Sequence, residues 1–219
     1  MKKNNKKSQA SLNVFNKLAK QYVEYFDGDW EFINEIDEFA SFFNNGDTII
    51  DLGSGSGYIT DYLVKKGLNT IGIDNSSEMI NIAKETYPNI KFILDDILNI
   101  ESYFKENELA GAIAIYSLYF IPREYFNNFL KSLSKILKPG AKLLFVTEIG
   151  DGESYIKTPL IIENNLHEGL YMNCYMKEQL EEILRENNFS IDYLKEKIAT
   201  DEKEATDSGR YIVLVTNNK

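Results

Sequence analysis

Cysteine and histidine are almost missing from this 219-residue sequence, which contains one of each. With Cys174 as its single thiol, the chain cannot form an internal disulfide framework or a cysteine zinc site, and we expect no metal site. The same cysteine usage favours a reducing, cytoplasmic compartment. No stretch approaches the ~20 consecutive apolar residues that a membrane-spanning helix needs, so we expect no membrane partner.

Positive charge is also scarce, because 24 lysines and arginines face 34 aspartates and glutamates, for a formal net charge of −10. A protein that grips nucleic acid neutralises phosphates with Lys and Arg, so this balance argues against a nucleic-acid partner. We expect a small-molecule substrate instead, and the sequence leaves a monomer and a homodimer both open. The lysines within residues 1–7 are not followed by an apolar segment, so we interpret them as a solvated tail rather than a secretory signal.

Apolar side chains recur at the helical period in two stretches, residues 11–26 and 30–43, before the pattern changes. From residue 47 onwards, short apolar strands alternate with amphipathic helices, which is typical of a doubly wound parallel sheet. We predict strands at 47–51, 69–74, 90–94, 112–116 and 141–147, and helices at 57–66, 76–87, 122–137 and 177–187. Two successive strands, 189–199 and 211–216, then predict an antiparallel hairpin at the end of the sheet.

The most informative stretch is residues 51–57, which read Asp-Leu-Gly-Ser-Gly-Ser-Gly and follow the first predicted strand. Glycine at every second position lets bare backbone N–H groups approach a ligand at the start of a helix. The dinucleotide fingerprint would need glycine where Tyr58 stands, and the phosphate loop would need a lysine after Gly57. The run instead resembles the first motif of the class I S-adenosylmethionine-dependent methyltransferases. A plain glycine-rich turn is the alternative interpretation.

The order of the predicted elements fits this resemblance from about residue 14 onwards. It implies an α/β fold, a doubly wound, seven-stranded and mostly parallel Rossmann-like sheet with an antiparallel terminal hairpin, and S-adenosylmethionine as the cofactor. Residues 1–46 would form a basic tail and lid helices, and residues 47–219 the methyltransferase core. Residues 150–174 show no clear periodicity and would form a substrate-loop insert in that core.

Acids at the ends of the next two strands would complete the cofactor site in this family. Asp74 would accept the ribose hydroxyls, although an aspartate there could instead cap the following helix. Asp96 would accept the adenine amine, with Asp95 as the alternative if the strand register is shifted by one residue. The residues that the resemblance assigns to the cofactor are Tyr22, Asp51, Gly53, Ser54, Gly55, Gly57, Asp74, Asn75, Met79, Asp96, Ile97 and Tyr116.

Two of these assignments have a simpler alternative. Tyr22 on the first helix would close over the methionine end of the cofactor, and Tyr116 would lie beside the transferable methyl group, but both also fit as ordinary packing residues. The chain departs from the common pattern at Gly111, where many relatives begin the fourth strand with aspartate. Residues 148–153 and 171–175 resemble the small-molecule, menaquinone-biosynthesis-like branch of the family.

The acceptor side of the site is less defined by the sequence. His167 falls in the 150–174 segment and is the candidate general base, with Tyr119 as a second candidate catalytic residue; an exposed loop histidine is the alternative. Glu148, after the fifth strand, is another candidate base. An aromatic wall for a flat or cationic acceptor could be built from Tyr119, Tyr155, Tyr171 and Tyr175.

The predicted chemistry follows from the cofactor. A sulfonium methyl group is an activated electrophile, so the protein mainly has to align an acceptor for in-line displacement. The sequence thus predicts methyl transfer to a small-molecule acceptor, at oxygen or nitrogen rather than carbon. Methylation of a tRNA or protein acceptor is an alternative, as is a non-catalytic S-adenosylmethionine-binding protein of the same fold. A nucleotide-sugar or NAD enzyme is disfavoured by Tyr58 and by the terminal hairpin.

Overall fold

The computed structural model describes residues 6–26, 28, 31–198 and 209–219 of the chain. The first five residues of the predicted tail and most of the polar turn before the last strand lie outside the described residues. The helices are α1 (Lys6–Phe26), α2 (Ile33–Ala40), α3 (Tyr58–Lys65), α4 (Ser77–Thr86), α5 (Arg123–Ile136), α6 (Pro159–Glu163) and α7 (Lys177–Glu186). The strands are β1 (Thr48–Leu52), β2 (Asn69–Asp74), β3 (Phe92–Leu94), β4 (Leu109–Ala114), β5 (Leu137–Glu148), β6 (Gly152–Ile156), β7 (Leu170–Cys174), β8 (Phe189–Lys197) and β9 (Arg210–Asn217).

Seven of these strands form one sheet, in the order β3-β2-β1-β4-β5-β9-β8. The first five in this order run parallel, whereas β9 is antiparallel to both of its neighbours. The predicted doubly wound α/β sheet with an antiparallel terminal hairpin is therefore confirmed. The strand order reverses at β1, and in open sheets of this kind ligands bind beyond the carboxyl ends of the strands at that point.

Alternate residues of the central strands supply the two faces of the core. On β5, Leu143 and Phe145 pack with α5 and α7, whereas Leu144 and Val146 pack with α2 and α3. All four side chains are fully buried, and each such burial contributes about 1.5–3 kcal/mol. The sheet is thus a rigid platform for the loops at its edges.

Helix α2 belongs to this core rather than to a lid. Its Ile36 and Phe39 are buried against Ile49 of β1 and Ile113 of β4. Of the two helices expected to form a lid within residues 1–46, only α1 lies away from the main sheet. Long periodic segments show that a helix has a buried face, but not what that face packs against.

The 150–174 segment, expected to be irregular, forms a second structural unit. Its strands β6 and β7 pair antiparallel, with α6 between them in the chain. Most of β6 is exposed, so the strand carries little of the apolar alternation that would predict it. Helix α1 packs on this unit through Val14 and Leu18, which are buried with Ile161 and Leu170.

Polar contacts fix α1 near its start and near its middle. Near its start, the Lys7 ammonium lies 2.7 Å from a Glu153 oxygen and 3.0 Å from one of Glu124, so this lysine is not part of a solvated tail. Near its middle, the Asn16 side chain accepts a hydrogen bond from the Ser76 hydroxyl at 2.8 Å. No helix in the described part of the chain combines the length and apolar composition that crossing a membrane requires.

The predicted turn at 138–140 is present as a bulge at the start of β5. Leu109 of β4 pairs with Leu137 and Gly111 with Lys142, so residues 138–141 lie opposite a single residue of β4. Gly140 has a φ of +78°, which suits the sharp change of direction. The strand therefore begins before the predicted residue 141.

Candidate functional site

A cavity of about 410 Å³ lies along the carboxyl ends of the parallel strands. The loops after β1, β2 and β3 line one half of it, which we call the near half. Tyr116 after β4 and the ends of β5, β8 and β9 line the other half, which we call the far half. Helix α1 and the β6–β7 sheet also contribute lining residues, including Phe15, Phe26, Ile156 and Leu170. Because α1 carries aromatic side chains into the lining, it has the position expected of a lid.

The loop after β1 brings its backbone into the near half at two glycines. Gly53 has a φ of +73°, and an added Cβ there would clash with the Ser117 side chain. Gly55 has a φ of +52° and meets nothing within 4 Å, so its backbone faces open space. Gly57 differs from the prediction: it does not line the cavity, and a Cβ there would lie 2.6 Å from Phe92. Its role is close packing.

Asp51 is almost completely buried at the end of β1, with 2% of its surface exposed. The Thr60 hydroxyl donates a hydrogen bond to it at 2.6 Å. Burial is the main effect that raises the pKa of Asp51, to about 7. The hydrogen bond from Thr60 lowers this pKa, and the negative charge of Asp74 raises it further by a smaller amount. The near half thus contains a carboxyl group that changes charge close to neutral pH.

Asp74 joins the end of β2 to the glycine loop. One of its oxygens accepts the backbone N–H of Gly55 at 2.9 Å, and the other accepts that of Ser76 at 2.8 Å. The cap of α4 is Ser76, whose hydroxyl oxygen accepts the Met79 N–H, so the alternative of Asp74 as the cap is wrong. A carboxylate has about four acceptor sites, so Asp74 can accept from a ligand in addition to its backbone donors. Burial raises the pKa of Asp74, and its backbone donors oppose this.

Asp96 and its alternative, Asp95, differ in whether they face the cavity. Asp96 and Ile97 line the cavity, and one Asp96 oxygen accepts the Leu98 N–H at 2.9 Å. Asp95 does not line it, and its carboxylate is engaged by the side chains of Asn99 and Tyr103. Asp96 is therefore the acid available to a ligand at the β3 end.

The hydroxyl groups of Ser54 and Tyr22 line the cavity and are buried. Neither makes a hydrogen bond of normal geometry with the described residues. Burial raises the pKa of Tyr22, opposed by the nearby Thr158, so its phenol stays protonated and can donate. Buried polar atoms without partners are rare, and these two border the cavity, so both hydroxyls suit hydrogen bonds to a bound ligand. With Asn75 and Met79 also in the lining, the near half fits a nucleoside-bearing cofactor with hydroxyl and amine donors.

A network of charged side chains fills the far half. The Arg210 Nε donates to Glu148 at 3.0 Å, and its Nη1 donates to Glu31 at 3.1 Å and to the Tyr116 hydroxyl at 3.2 Å. The Tyr116 hydroxyl donates in turn to Glu31, whose other oxygen lies 2.9 Å from the Lys197 ammonium. Burial raises the pKa of Glu31, but the hydrogen bonds from Tyr116 and Lys197 and the charge of Arg210 outweigh it, so the pKa is lowered.

Tyr116 and Tyr119 both line the cavity, but neither suits a proton acceptor. Tyr116 follows the end of β4 with a φ of +60°, a rare conformation for a bulky residue that aims its ring at Arg210. Burial raises the pKa of Tyr116 and of Tyr119 well above the usual range. Both phenols therefore remain protonated and are unsuited to act as the general base.

His167 is exposed and does not line the cavity, so the structure gives no support to it as the general base. Of the four tyrosines predicted to form an aromatic wall, Tyr119 lines the cavity. The other three do not line it, namely Tyr155, Tyr171 and Tyr175. Tyr155 and Tyr171 pack on each other in the β6–β7 sheet instead. The aromatic lining comes from α1 and from the segment after β4.

The sequence did not reveal Glu31, Lys197 and Arg210 as members of one site. Glu31 and Arg210 are 179 positions apart, and their contact depends on the complete sheet. The one local signal is Arg210 at the start of an otherwise apolar strand, where 8% of its surface is exposed. A buried arginine needs a partner, so this position could have been singled out.

Comparison with known proteins agrees with this geometry. A family model described as a methyltransferase domain matches residues 49–140. A malonyl-[acyl-carrier protein] O-methyltransferase of Priestia megaterium is 30% identical over 204 residues, which covers 81% of this chain and 69% of that protein. A tRNA (guanine-N(7)-)-methyltransferase of Clostridium botulinum is 31% identical over 140 residues, which covers 53% of this chain and 64% of that protein.

A protein of Invertebrate iridescent virus 6 assigned as a methyltransferase is 39% identical over 105 residues, covering 47% of this chain. The chain thus spans between 37% and 69% of the length of these curated relatives. Among solved structures, a SAM-dependent methyltransferase of Methanosarcina mazei has the same fold, with a TM-score of 0.68 at 21% identity over 81% of this chain and 95% of that chain.

The family follows from the P. megaterium relative, because 30% identity extends over 69% of that protein. The finer assignment to a menaquinone-biosynthesis-like branch stays a prediction. The near half of the cavity, with its glycine loop and the acids at the ends of β2 and β3, independently fits the cofactor of this family. The chain belongs to the class I S-adenosylmethionine-dependent methyltransferases, and S-adenosylmethionine is its cofactor.

Proposed function

We propose that this protein transfers the methyl group of S-adenosylmethionine to a small molecule, at an oxygen or nitrogen atom rather than carbon. The observation that supports this most directly is the shared cavity. Except for Gly57, the residues assigned to the cofactor line one continuous space with the charged residues of the far half. Two reactants held side by side in such a space react without the entropy cost of meeting in solution.

The chain's own residues would bind and orient the two reactants. When bound, the cofactor supplies an electrophilic methyl group on a positively charged sulfur. The loop after β1, Asp74 and Asp96 would hold its amino-acid, ribose and adenine parts, as the family resemblance assigns them. The aromatic side chains of α1 in the lining, Phe15, Tyr22 and Phe26, would shield the bound reactants from water.

A hydroxyl or protonated amine must lose a proton when it is methylated. We assign the proton acceptor to Glu148, which lines the cavity with 4% of its surface exposed and is held at 3.0 Å by the Arg210 Nε. The tyrosines of the lining are unsuitable because burial raises the pKa of both Tyr116 and Tyr119.

A small acceptor is favoured over a polymer by charge and by access. The net charge of −10 opposes the approach of a polyphosphate, and α1 with the β6–β7 sheet covers the cavity. The P. megaterium relative, named for O-methylation, supports an oxygen acceptor. The C. botulinum relative, named for a tRNA, supplies the alternative that the experiment must test.

Calorimetric titration with S-adenosylhomocysteine and with NAD tests the cofactor. We expect binding of the first and none of the second at millimolar ligand; no heat with S-adenosylhomocysteine would refute the proposal. Transfer of labelled methyl groups to a metabolite extract, to total tRNA and to a protein extract then tests the acceptor. We expect label in the metabolite fraction. Label in tRNA or protein alone would refute a small acceptor, and binding without any transfer would indicate a non-catalytic protein.

A further inference from the structure

The charged residues of the cavity lining are divided between its two halves. The near half contains the acids Asp51, Asp74 and Asp96. Within the described ranges, the cations of the lining are Lys197 and Arg210, and both lie in the far half, at the facing ends of β8 and β9. A cofactor held in the near half therefore leaves both cations to the acceptor.

The far half already has the geometry of a carboxylate site, and Glu31 occupies it. The two Glu31 oxygens receive three donors: the Arg210 Nη1 at 3.1 Å, the Tyr116 hydroxyl, and the Lys197 ammonium at 2.9 Å. Glu148 holds Arg210 from the other side through Nε, which fixes the direction of the guanidinium group. Two cations and a phenol that converge on one carboxylate form a strong, oriented anion site.

Glu31 comes from the chain between α1 and α2, not from the sheet that carries its three partners. It therefore belongs to the part of the chain next to the helix that covers the cavity. The buried Arg210, with 9% of its side chain exposed, needs a counter-charge whenever no ligand is bound, because an uncompensated buried charge is strongly destabilising. A carboxylate from the covering segment can supply that charge and can be exchanged for another one.

We propose that Glu31 stands in for the carboxylate of the acceptor, which is thus a small acid with an apolar body. The acceptor carboxylate would bind Arg210, Lys197 and Tyr116 as Glu31 moves away, and the apolar body would lie against the α1 side of the cavity. This inference rests on the proposed function, because it treats the far half as the acceptor site.

The contacts around Glu31 favour a carboxylate over other groups. Arg210 and Lys197 lie 3.1 Å and 2.9 Å from the Glu31 carboxylate oxygens, so both cations are already placed for a carboxylate. An amine would face both cations and be repelled. A dianionic phosphate would have to be desolvated at greater cost.

The test uses three probes of one shape, 3-phenylpropanoate, 3-phenylpropanol and 3-phenylpropylamine, titrated into protein saturated with S-adenosylhomocysteine. The variants are Glu31→Gln, which removes the internal competitor, and Lys197→Met, which removes one cation. Lys195→Met is the matched control, because Lys195 lies two residues earlier on β8, pairs with Glu38 and does not line the cavity. Circular dichroism and thermal unfolding confirm that each variant is folded.

We expect the acid to bind more tightly than the alcohol, and the amine most weakly. Glu31→Gln should tighten binding of the acid about tenfold, Lys197→Met should weaken it about tenfold, and Lys195→Met should leave it unchanged. The inference is overturned if the acid does not bind Glu31→Gln at 10 mM, if the amine binds as well as the acid, or if both lysine variants behave alike. Failure to bind S-adenosylhomocysteine would instead refute the proposed function, so the two failures are distinguishable.

Discussion

The carboxylate of Asp74 accepts the backbone N–H of Gly55 at 2.9 Å, although the two residues are 19 positions apart. The bond joins the end of β2 to the loop after β1, which are the two elements assigned to the ribose and the methionine part of the cofactor. Both are therefore positioned before any ligand arrives. Such preorganisation lowers the cost of ordering the site on binding.

Asp74→Asn should weaken binding of S-adenosylhomocysteine by roughly 10- to 100-fold. The amide nitrogen cannot accept from Gly55 or Ser76, and a hydrogen bond to a charged group is worth about 1.5–3 kcal/mol. Isothermal titration calorimetry measures the change. The control is Asp47→Asn at the opposite edge of the sheet, where the carboxylate accepts the Asn44 N–H. An equal loss of affinity in both variants would contradict the assignment.

Asp96→Asn and Asp95→Asn form a matched pair at the end of β3. Because Asp96 lines the cavity and Asp95 does not, only the first change should lower the affinity for S-adenosylhomocysteine, by about tenfold. Asp95→Asn should affect stability alone, since its carboxylate binds Asn99 and Tyr103. Titration and thermal unfolding of both variants separate the effects. The reverse pattern would mean that the register-shifted alternative is correct.

Replacing the two lining glycines with alanine should have different effects. Gly53→Ala should mainly lower the stability of the protein, and Gly55→Ala should mainly lower its affinity for the ligand. Gly53→Ala places a Cβ into the Ser117 side chain, whose hydroxyl donates to the Leu52 carbonyl, so we expect a loss of about 2–3 kcal/mol in unfolding free energy. Gly55→Ala meets nothing within 4 Å, so its cost should be only the ~1 kcal/mol of the left-handed conformation. Its methyl group enters the cavity and should mainly reduce ligand affinity. Urea unfolding and calorimetry measure both quantities.

Tyr22→Phe should leave the ligand-free protein as stable as the wild type, or slightly more stable. Its hydroxyl is buried without a sound hydrogen bond among the described residues, so the change removes an unsatisfied polar atom. The same change should weaken binding of S-adenosylhomocysteine about fivefold if that hydroxyl serves the ligand. Equal affinities of wild type and variant would show that Tyr22 only packs, which is the alternative interpretation of this residue.

The buried Asp51 should make stability depend on pH. Its pKa is about 7 in the folded protein and 3.8 when exposed, because burial disfavours the charged form. Between these values the folded state keeps a proton that the unfolded state has lost, so stability falls as the pH rises from about 4 to 7 and stays lower above 7. Asp51→Asn removes this dependence.

Urea unfolding of the ligand-free protein at pH 5 and pH 8 measures the effect of Asp51→Asn. The stability of the variant relative to wild type should increase by about 3 kcal/mol between the two pH values, since each pKa unit is worth about 1.4 kcal/mol. Asparagine still accepts the hydrogen bond from Thr60, so the local contact is kept. If the stability difference between Asp51→Asn and the wild type is the same at pH 5 and pH 8, the raised pKa of Asp51 is contradicted.

The near half of the site could be predicted because its three acids lie at the end of a strand or just after it. The strands β1, β2 and β4 are short buried apolar runs, and their ends are marked by an acid or by a change of composition. Since parallel strands end at one edge, Asp51, Asp74 and Asp96 had to lie near one another. The local sequence was therefore enough to predict both the strand and the position of the acid on it.

The far half could not be predicted in this way. Glu31 lies between α1 and α2, Lys197 lies at the end of a mostly half-buried strand, and Arg210 follows a long polar stretch of sequence. Each is therefore an ordinary charge in its local context. Their meeting depends on the antiparallel placement of β9 between β5 and β8. The β6–β7 sheet was missed for a related reason, because exposed strands carry little hydrophobic alternation.

The chain order of the lining residues has an evolutionary and practical consequence. The acids and glycines of the near half fall within residues 51–97, whereas α1, Glu31, Glu148, the β6–β7 sheet, Lys197 and Arg210 come from the two flanks of the chain. Duplicated genes can therefore diversify their flanks while the acids and glycines assigned to the methyl donor stay unchanged. For an engineer, the same arrangement makes the flanks the natural segments to graft between homologues.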